Sequence, residues 1–264
     1  MRFCPLFSSS SGNSVYIGTA EGGILVDVGR SAKQTKEKLA EIGVGEDSIK
    51  AIFITHEHSD HIKGLSVFAA KNKIPVYSAA GTLLALRKNG VLKETHIDNV
   101  IDDENGVEVA GLFIKPFRTS HDCADGRGYV VSAANGNSKA AIMTDTGYVN
   151  GEMLSSVTGA SLVYVESNHD VAMLKTGPYP YVLQQRILSD KGHLSNDACA
   201  EALRALVNRG TTQFVLAHLS KENNTPQTAF DTSVSALTEM GALLGRDYLL
   251  DVASPENERR PYIL

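Results

Sequence analysis

The chain has 264 residues, with 25 Lys and Arg against 30 Asp and Glu, a formal net charge of −5, and 42% hydrophobic and 21% charged residues. That balance is ordinary for a globular protein able to bury a full core, and it excludes a broadly basic nucleic-acid surface while leaving room for a local positive patch. No apolar run approaches the roughly 18 to 20 residues of a membrane helix. The start, Met1-Arg2-Phe3-Cys4-Pro5, leads into polar Ser and Gly residues where a secretory signal would continue its apolar region. The expectation is a cytoplasmic protein with no membrane contact. Three cysteines, Cys4, Cys123 and Cys199, are too sparse for a disulfide framework or a Cys-rich zinc module, so reduced and mostly buried thiols are expected.

Short β-branched or apolar runs predict strands at 14–18, 23–28, 51–55, 75–78, 112–119, 129–133, 140–144, 161–166, 214–217 and 248–252. Before them, Ser8 to Ser14 with Gly12 reads either as a Ser/Gly hairpin turn or as a nest of backbone N–H groups for a phosphate. Apolar residues three or four apart predict helices through Ala198, Ala202 and Leu206 and through Phe230, Val234 and Leu237. Ser195 to Asp197 can cap the first, which ends near Arg209-Gly210, and Thr225-Pro226 can open the second. Strands and helices interleave to the end without a linker, low-complexity tract or repeat. One α/β domain over 1–264 is therefore expected.

Three of the eight histidines crowd into Thr55-His56-Glu57-His58-Ser59-Asp60-His61, directly after a strand-like run. A strand end followed by a tight turn can aim His56 and His58 at one metal, while Asp60 and His61 at the start of the next helix can serve a second. Imidazole and carboxylate are donors that a zinc-type divalent cation accepts. His121, Asp145 and His218 also follow strand-like runs, and strand ends are where loops converge on a site. Asp27, after Ile24-Leu25-Val26, reads equally as a partner orienting a metal histidine or as a turn residue.

The order His-x-His-x-Asp-His, lone His, Asp and final His resembles the metallo-β-lactamase superfamily. That resemblance implies a four-layer αββα sandwich and a binuclear site, with His56, His58 and His121 on one metal, Asp60, His61 and His218 on the other, and Asp145 bridging them. His at position 58, where diiron members carry an acidic residue, and the absence of Cys from the ligand positions point to a hydrolase other than a β-lactamase. Two divalent ions, Zn, Mn or Fe, can hold a hydroxide between them and neutralise charge on an attacked carbonyl or phosphoryl oxygen. The donor set does not choose among the metals.

Two segments bear on the substrate. Val165-Glu166-Ser167-Asn168-His169-Asp170 and Gly192-His193-Leu194-Ser195-Asn196, together with Ala217-His218-Leu219-Ser220, are similar to the branch containing ribonuclease Z, where the equivalents of Glu166 and His193 assist phosphodiester cleavage. Ser9-Ser10-Ser11-Gly12-Asn13-Ser14, Thr144-Asp145-Thr146-Gly147 and the stretch from Glu166 to Asn196 more narrowly resemble the bacterial YycJ (WalJ) group of cytosolic exonuclease-like proteins. No β-CASP insertion is expected at this length. On chemical grounds, a histidine near a metal centre can give a proton to a leaving oxygen, and Glu166 would hold the tautomer of His193 and raise its pKa. Asp60, His193 and Glu166 are the expected catalytic residues, and Arg186, Ser195 and Asn196 the expected substrate contacts. Lys175, Lys191 and Lys221 are weaker candidates for phosphate contact. The expected function is 5′-to-3′ exonucleolytic hydrolysis acting on DNA ends, with RNA as a further substrate and no obligate protein partner. A thioester or lactone hydrolase of the glyoxalase II kind is the alternative, since it needs the same ligands.

Overall fold

The structure is a computed structural model and describes residues 1–134, 136, 138–258 and 260–264. The chain divides into two compact units, one made of Met1–Arg118, Cys123–Ser138 and Ser254–Leu264, the other of Thr119–Asp122 and Lys139–Ala253.

The first unit opens with the antiparallel strands β1 (Arg2–Ser9), β2 (Gly12–Thr19) and β3 (Gly22–Val26). Strands β4 (Ile49–Phe53), β5 (Val76–Ser78) and β6 (Asp98–Val100) then add in parallel. Parallel neighbours need crossovers. These are α1 (Ala32–Glu41), then α2 (Ser59–Ile62) with α3 (Leu65–Asn72), then α4 (Ala80–Lys88). The strand Tyr262–Ile263 pairs with β1 and completes a seven-stranded sheet. Helix α1 starts at a capping box in which Ser31 and Gln34 satisfy each other's backbone N–H groups. Its Leu39 joins Leu6, Leu25, Ile52, Leu65, Phe68 and Leu86 in one buried cluster. An antiparallel meander of β7 (Val107–Val109), β8 (Leu112–Arg118) and β9 (Arg127–Ala133) follows.

The second unit holds four parallel strands, β10 (Lys139–Met143), β11 (Leu162–Glu166), β12 (Gln213–Ala217) and β13 (Leu249–Val252). The near-continuous apolar runs of β10, β11 and β12 are what strands buried on both faces require, whereas β13 leaves Leu249 exposed at the sheet edge. Helices α5 (Gly151–Val157), α6 (Val171–Thr176), α7 (Tyr181–Ile187), α8 (Asn196–Val207) and α9 (Pro226–Glu239) make the connections. The caps foreseen from the sequence are present: the Ser195 hydroxyl accepts from the Ala198 N–H, the Thr225 hydroxyl from the Thr228 N–H, and Pro226 takes the first turn, where its missing N–H costs nothing.

All the predicted strands are found, whereas β1, β6, β7 and the last strand were not foreseen. Strand β1 carries Pro5, which argues against a central strand. The register shifts between Pro5 and Phe7, and this irregularity accommodates a residue without an N–H. In both units the parallel strands end where the candidate ligands begin. Asp27, Asp145 and His218 directly or closely follow β3, β10 and β12 and have left-handed φ values of 62°, 57° and 55°. Asp and His tolerate that region better than most residues, yet such conformations gather at functional sites.

Candidate metal-ligating sites

In the first unit the turn after β4 brings its histidines together, with ring centroids 4.5 Å apart for His56 and His58 and 4.1 Å for His56 and His61. Asp60 Oδ2 lies 3.4 Å from His61 Nε2. The buried carboxylate of Asp27 organises the group. Its Oδ1 accepts from the Thr55 N–H at 2.8 Å, and its Oδ2 accepts from the Thr55 hydroxyl at 2.8 Å and from His61 Nδ1 at 2.7 Å. Because the Thr55 hydroxyl spends its proton on Asp27, its oxygen accepts from His56 Nδ1, 3.0 Å away. Both imidazoles therefore carry their proton on Nδ1 and present Nε2 as the basic nitrogen, the arrangement that suits a metal ligand. Burial pushes the Asp27 carboxyl up, with His61 and Thr55 opposing.

Two residues that the sequence reading passed over hold this turn in place. Asn13 Nδ2 lies 3.2 Å from Asp60 Oδ2 and 3.1 Å from His61 Nε2. Gly29 passes so close that a Cβ there would lie 1.8 Å from the Asp60 carbonyl oxygen and 2.4 Å from the Asn13 nitrogen. The segment is stitched by Gly29 N–H to the Asn13 carbonyl and Val28 N–H to the His61 carbonyl, each 2.8 Å. Asp27 itself takes the orienting part of its two readings.

In the second unit Asp145, Glu166, His193 and His218 cluster, with ligating-type atoms all within 4.8 Å of one another. Glu166, fully buried at the end of β11, is the centre of the group. Its Oε1 accepts from His193 Nδ1 at 2.7 Å and from His218 Nδ1 at 2.8 Å, and its Oε2 from the N–H groups of Thr146 at 3.0 Å and Leu194 at 3.2 Å. Burial opposes ionisation of Glu166, but the His193 and His218 rings outweigh it and hold the carboxyl well below the usual range. His121 is buried, which lowers its imidazole pKa, and its Nδ1 donates to the Gly192 carbonyl at 2.9 Å. So His121, His193 and His218 also present Nε2. Asp145 Oδ1 lies 3.3 Å from His218 Nδ1. Asn168, given no role in the sequence reading, donates from Nδ2 to the His218 carbonyl at 2.9 Å and pins that left-handed residue. With imidazole and carboxylate donors and tautomers already set, the residues of both units fit divalent ions of the zinc, manganese or iron type.

The expected substrate contacts are placed differently. Half-exposed Arg186 is paired through its guanidinium with Asp122, its Nη2 3.0 Å from Oδ1. Ser195 caps α8. Asn196 is interior, exchanging amide hydrogen bonds with Asn224 at 3.0 and 2.9 Å and accepting from the Ser167 hydroxyl at 2.7 Å. Cys4 and Cys199 are buried with their thiols pushed up to about 12, and Cys123 is partly exposed. His96 is structural, its Nδ1 accepting from the Lys93 N–H and its Nε2 donating to the Ser66 carbonyl.

Residues 9–218 match the metallo-beta-lactamase superfamily, and the chain belongs to it. The matched residues run through both units. Over 263 residues the chain is 36% identical to the exodeoxyribonuclease YycJ of Bacillus anthracis, spanning 97% of this chain and 96% of that protein. Over 257 residues it is 36% identical to the exodeoxyribonuclease WalJ of Streptococcus pneumoniae, spanning 97% and 95%. Among solved structures, the metallo-beta-lactamase fold protein YhfI from Bacillus subtilis aligns over 97% of both chains with a TM-score of 0.74 at 14% identity, a likeness of fold alone. The α/β class and the metallo-β-lactamase fold expected from the motifs are borne out. Among the described residues no helix is long and apolar enough to cross a membrane.

A Cβ at Gly29 would clash with the backbone of both Asp60 and Asn13. Gly29→Ala is expected to destabilise the fold by about 1 to 3 kcal/mol, as overpacking does, measurable by urea unfolding. A second expectation concerns His169, which is 1% exposed, with neither ring nitrogen hydrogen-bonded among the described residues. Burial lowers its pKa from 6.5 to about 4. The unfolded chain then takes up this proton near pH 6.5 and the folded chain only near pH 4, so this residue withdraws stability as pH falls between those values. His169→Asn is expected to flatten the pH dependence of the urea midpoint in that window by one proton's worth.

Proposed function

We propose that the protein is a metal-dependent phosphodiesterase that shortens DNA from the 5′ end, with His56, His58, Asp60, His61, His121, Asp145 and His218 as ligands of two divalent ions. The observation that carries the reading is the single Glu166 oxygen shared by His193 and His218. It orients one histidine as a ligand and equips its neighbour for proton transfer, a group that a bare ligand set lacks. Relatives named exodeoxyribonucleases that match along nearly the whole chain support the same substrate class.

Bound divalent ions would supply Lewis acidity for the attacked phosphoryl group and a water acidified enough to ionise near neutral pH. The chain supplies the rest. Asp27 and Glu166 fix the tautomers, so that Nε2 is the donor nitrogen of His56, His61 and His218. Asn13 restrains Asp60. His193 is 18% exposed and gives its Nδ1 proton to the Glu166 hydrogen bond, which leaves Nε2 to carry the proton delivered to the leaving oxygen. The Glu166 carboxylate holds the His193 ring in the orientation that aims Nε2 away from that bond.

The test is cleavage of end-labelled, 5′-phosphorylated single- and double-stranded DNA by protein loaded in turn with Zn²⁺ and Mn²⁺. Stepwise loss of nucleotides from the 5′ end, abolished in Asp145→Ala, is expected. Hydrolysis of a thioester with no cleavage of DNA by the fully metallated protein would overturn the reading. His193→Ala is expected to lower kcat on DNA by roughly 10² with metal content by mass spectrometry unchanged. An unaltered kcat would remove the proton-donor role.

A further inference from the structure

A groove of about 560 Å³ opens beside Asp60 in the first unit, its walls including Ser10, Ser11, Lys63, Ser66 and Val91. Its chemistry departs from the acidic balance of the chain. Asp60 is the one carboxylate among its lining residues, and Lys63 makes no ion pair among the described residues. The hydroxyls of Ser10 and Ser66 likewise have no hydrogen-bond partner among the described residues.

Both walls are held in place. On one side Asn13 closes the β1–β2 tip on itself, its Oδ1 accepting from the Ser9 N–H at 3.1 Å and its Nδ2 donating to the Ser9 carbonyl at 3.0 Å. Ser11 Oγ accepts from Arg30 Nη2 at 2.9 Å, and the Arg30 guanidinium lies over the Phe7 ring, 5.8 Å from its centroid, with no carboxylate partner among the described residues. On the other side the His96 bond to the Ser66 carbonyl anchors the start of α3. The Asn13 amide that ties the tip also contacts Asp60, so one side chain links the β1–β2 tip to the ligand candidate.

Hydroxyl donors, an uncompensated ammonium and a guanidinium behind them are what a phosphodiester oxygen accepts, and Val91 offers an apolar surface to a sugar. We propose that this groove seats a phosphate of the DNA strand other than the one being cleaved, Lys63 and the Ser10, Ser11 and Ser66 hydroxyls binding its oxygens while Arg30 positions Ser11. The inference rests on the phosphodiesterase reading for its ligand. The hairpin reading of Ser8 to Ser14 thereby acquires a binding part through its hydroxyls, without a backbone nest.

The experiment is equilibrium binding of a fluorescent, phosphorothioate-protected single-stranded oligonucleotide to the full-length, metal-loaded chain across a salt series. Lys63→Glu is expected to weaken Kd about tenfold or more and to reduce the slope of log K against log salt by about 0.7, the value for one lost phosphate contact on a single strand. Lys63→Gln, which places no new charge beside Asp60, is expected to weaken Kd about fivefold with the same slope change, and Ser11→Ala to weaken it to a smaller degree. Lys50→Glu, distant in sequence and bonded to the Asp47 carbonyl, is the control for net charge. If Lys63→Gln matches wild type, or if Lys50→Glu and Lys63→Glu weaken binding equally, the groove is not a phosphate site. The cleavage assay on wild-type protein decides the other reading separately: cleavage with unchanged binding in the Lys63 variants removes the groove alone, and weakened binding in a protein that cleaves no DNA removes the nuclease alone.

Discussion

One buried carboxylate sets the chemistry of the second unit. Glu166 accepts four hydrogen bonds, two from imidazole Nδ1 atoms and two from backbone N–H groups, and it is fully shielded from solvent. A carboxylate in that position is costly to bury uncompensated, and its four partners make the cost recoverable. They also leave it no freedom. The Thr146 and Leu194 bonds tie the loop after β10 and the loop before α8 to the end of β11, so the positions of Asp145 and His193 follow from the same charge that orients His193 and His218.

The first unit repeats the device with different connectivity. Asp27 reaches His61 directly and His56 through the Thr55 hydroxyl, so one carboxylate again sets two tautomers. The two groups differ in how firmly they ionise: burial dominates at Asp27 and raises its pKa, whereas two imidazoles in direct contact overcome burial at Glu166.

Much of this was legible in the sequence. The apolar runs at 140–144, 161–166 and 214–217 mark buried parallel strands, and the His and Asp residues at their ends mark the loops that follow. The pairing of Glu166 with His193 was foreseen, but not that the same oxygen also serves His218. What stayed hidden has physical causes. Strand β1 reads as broken because of Pro5, which a register shift accommodates. Gly29 matters through what a side chain would strike, which composition does not register. Asn13 and Asn168 act on the Asp60 carboxylate and the His218 carbonyl from other loops. Ser195 and Asn196 lie in an informative segment yet are engaged as a helix cap and a buried amide pair, a distinction that only three-dimensional neighbours reveal.

The left-handed backbone at Asp145 and His218 also narrows which side chains these two positions tolerate. Short polar residues such as Asp, Asn and His are the side chains most at ease in that conformation. Bulky or β-branched replacements at these two positions would meet backbone strain before any question of side-chain chemistry arises.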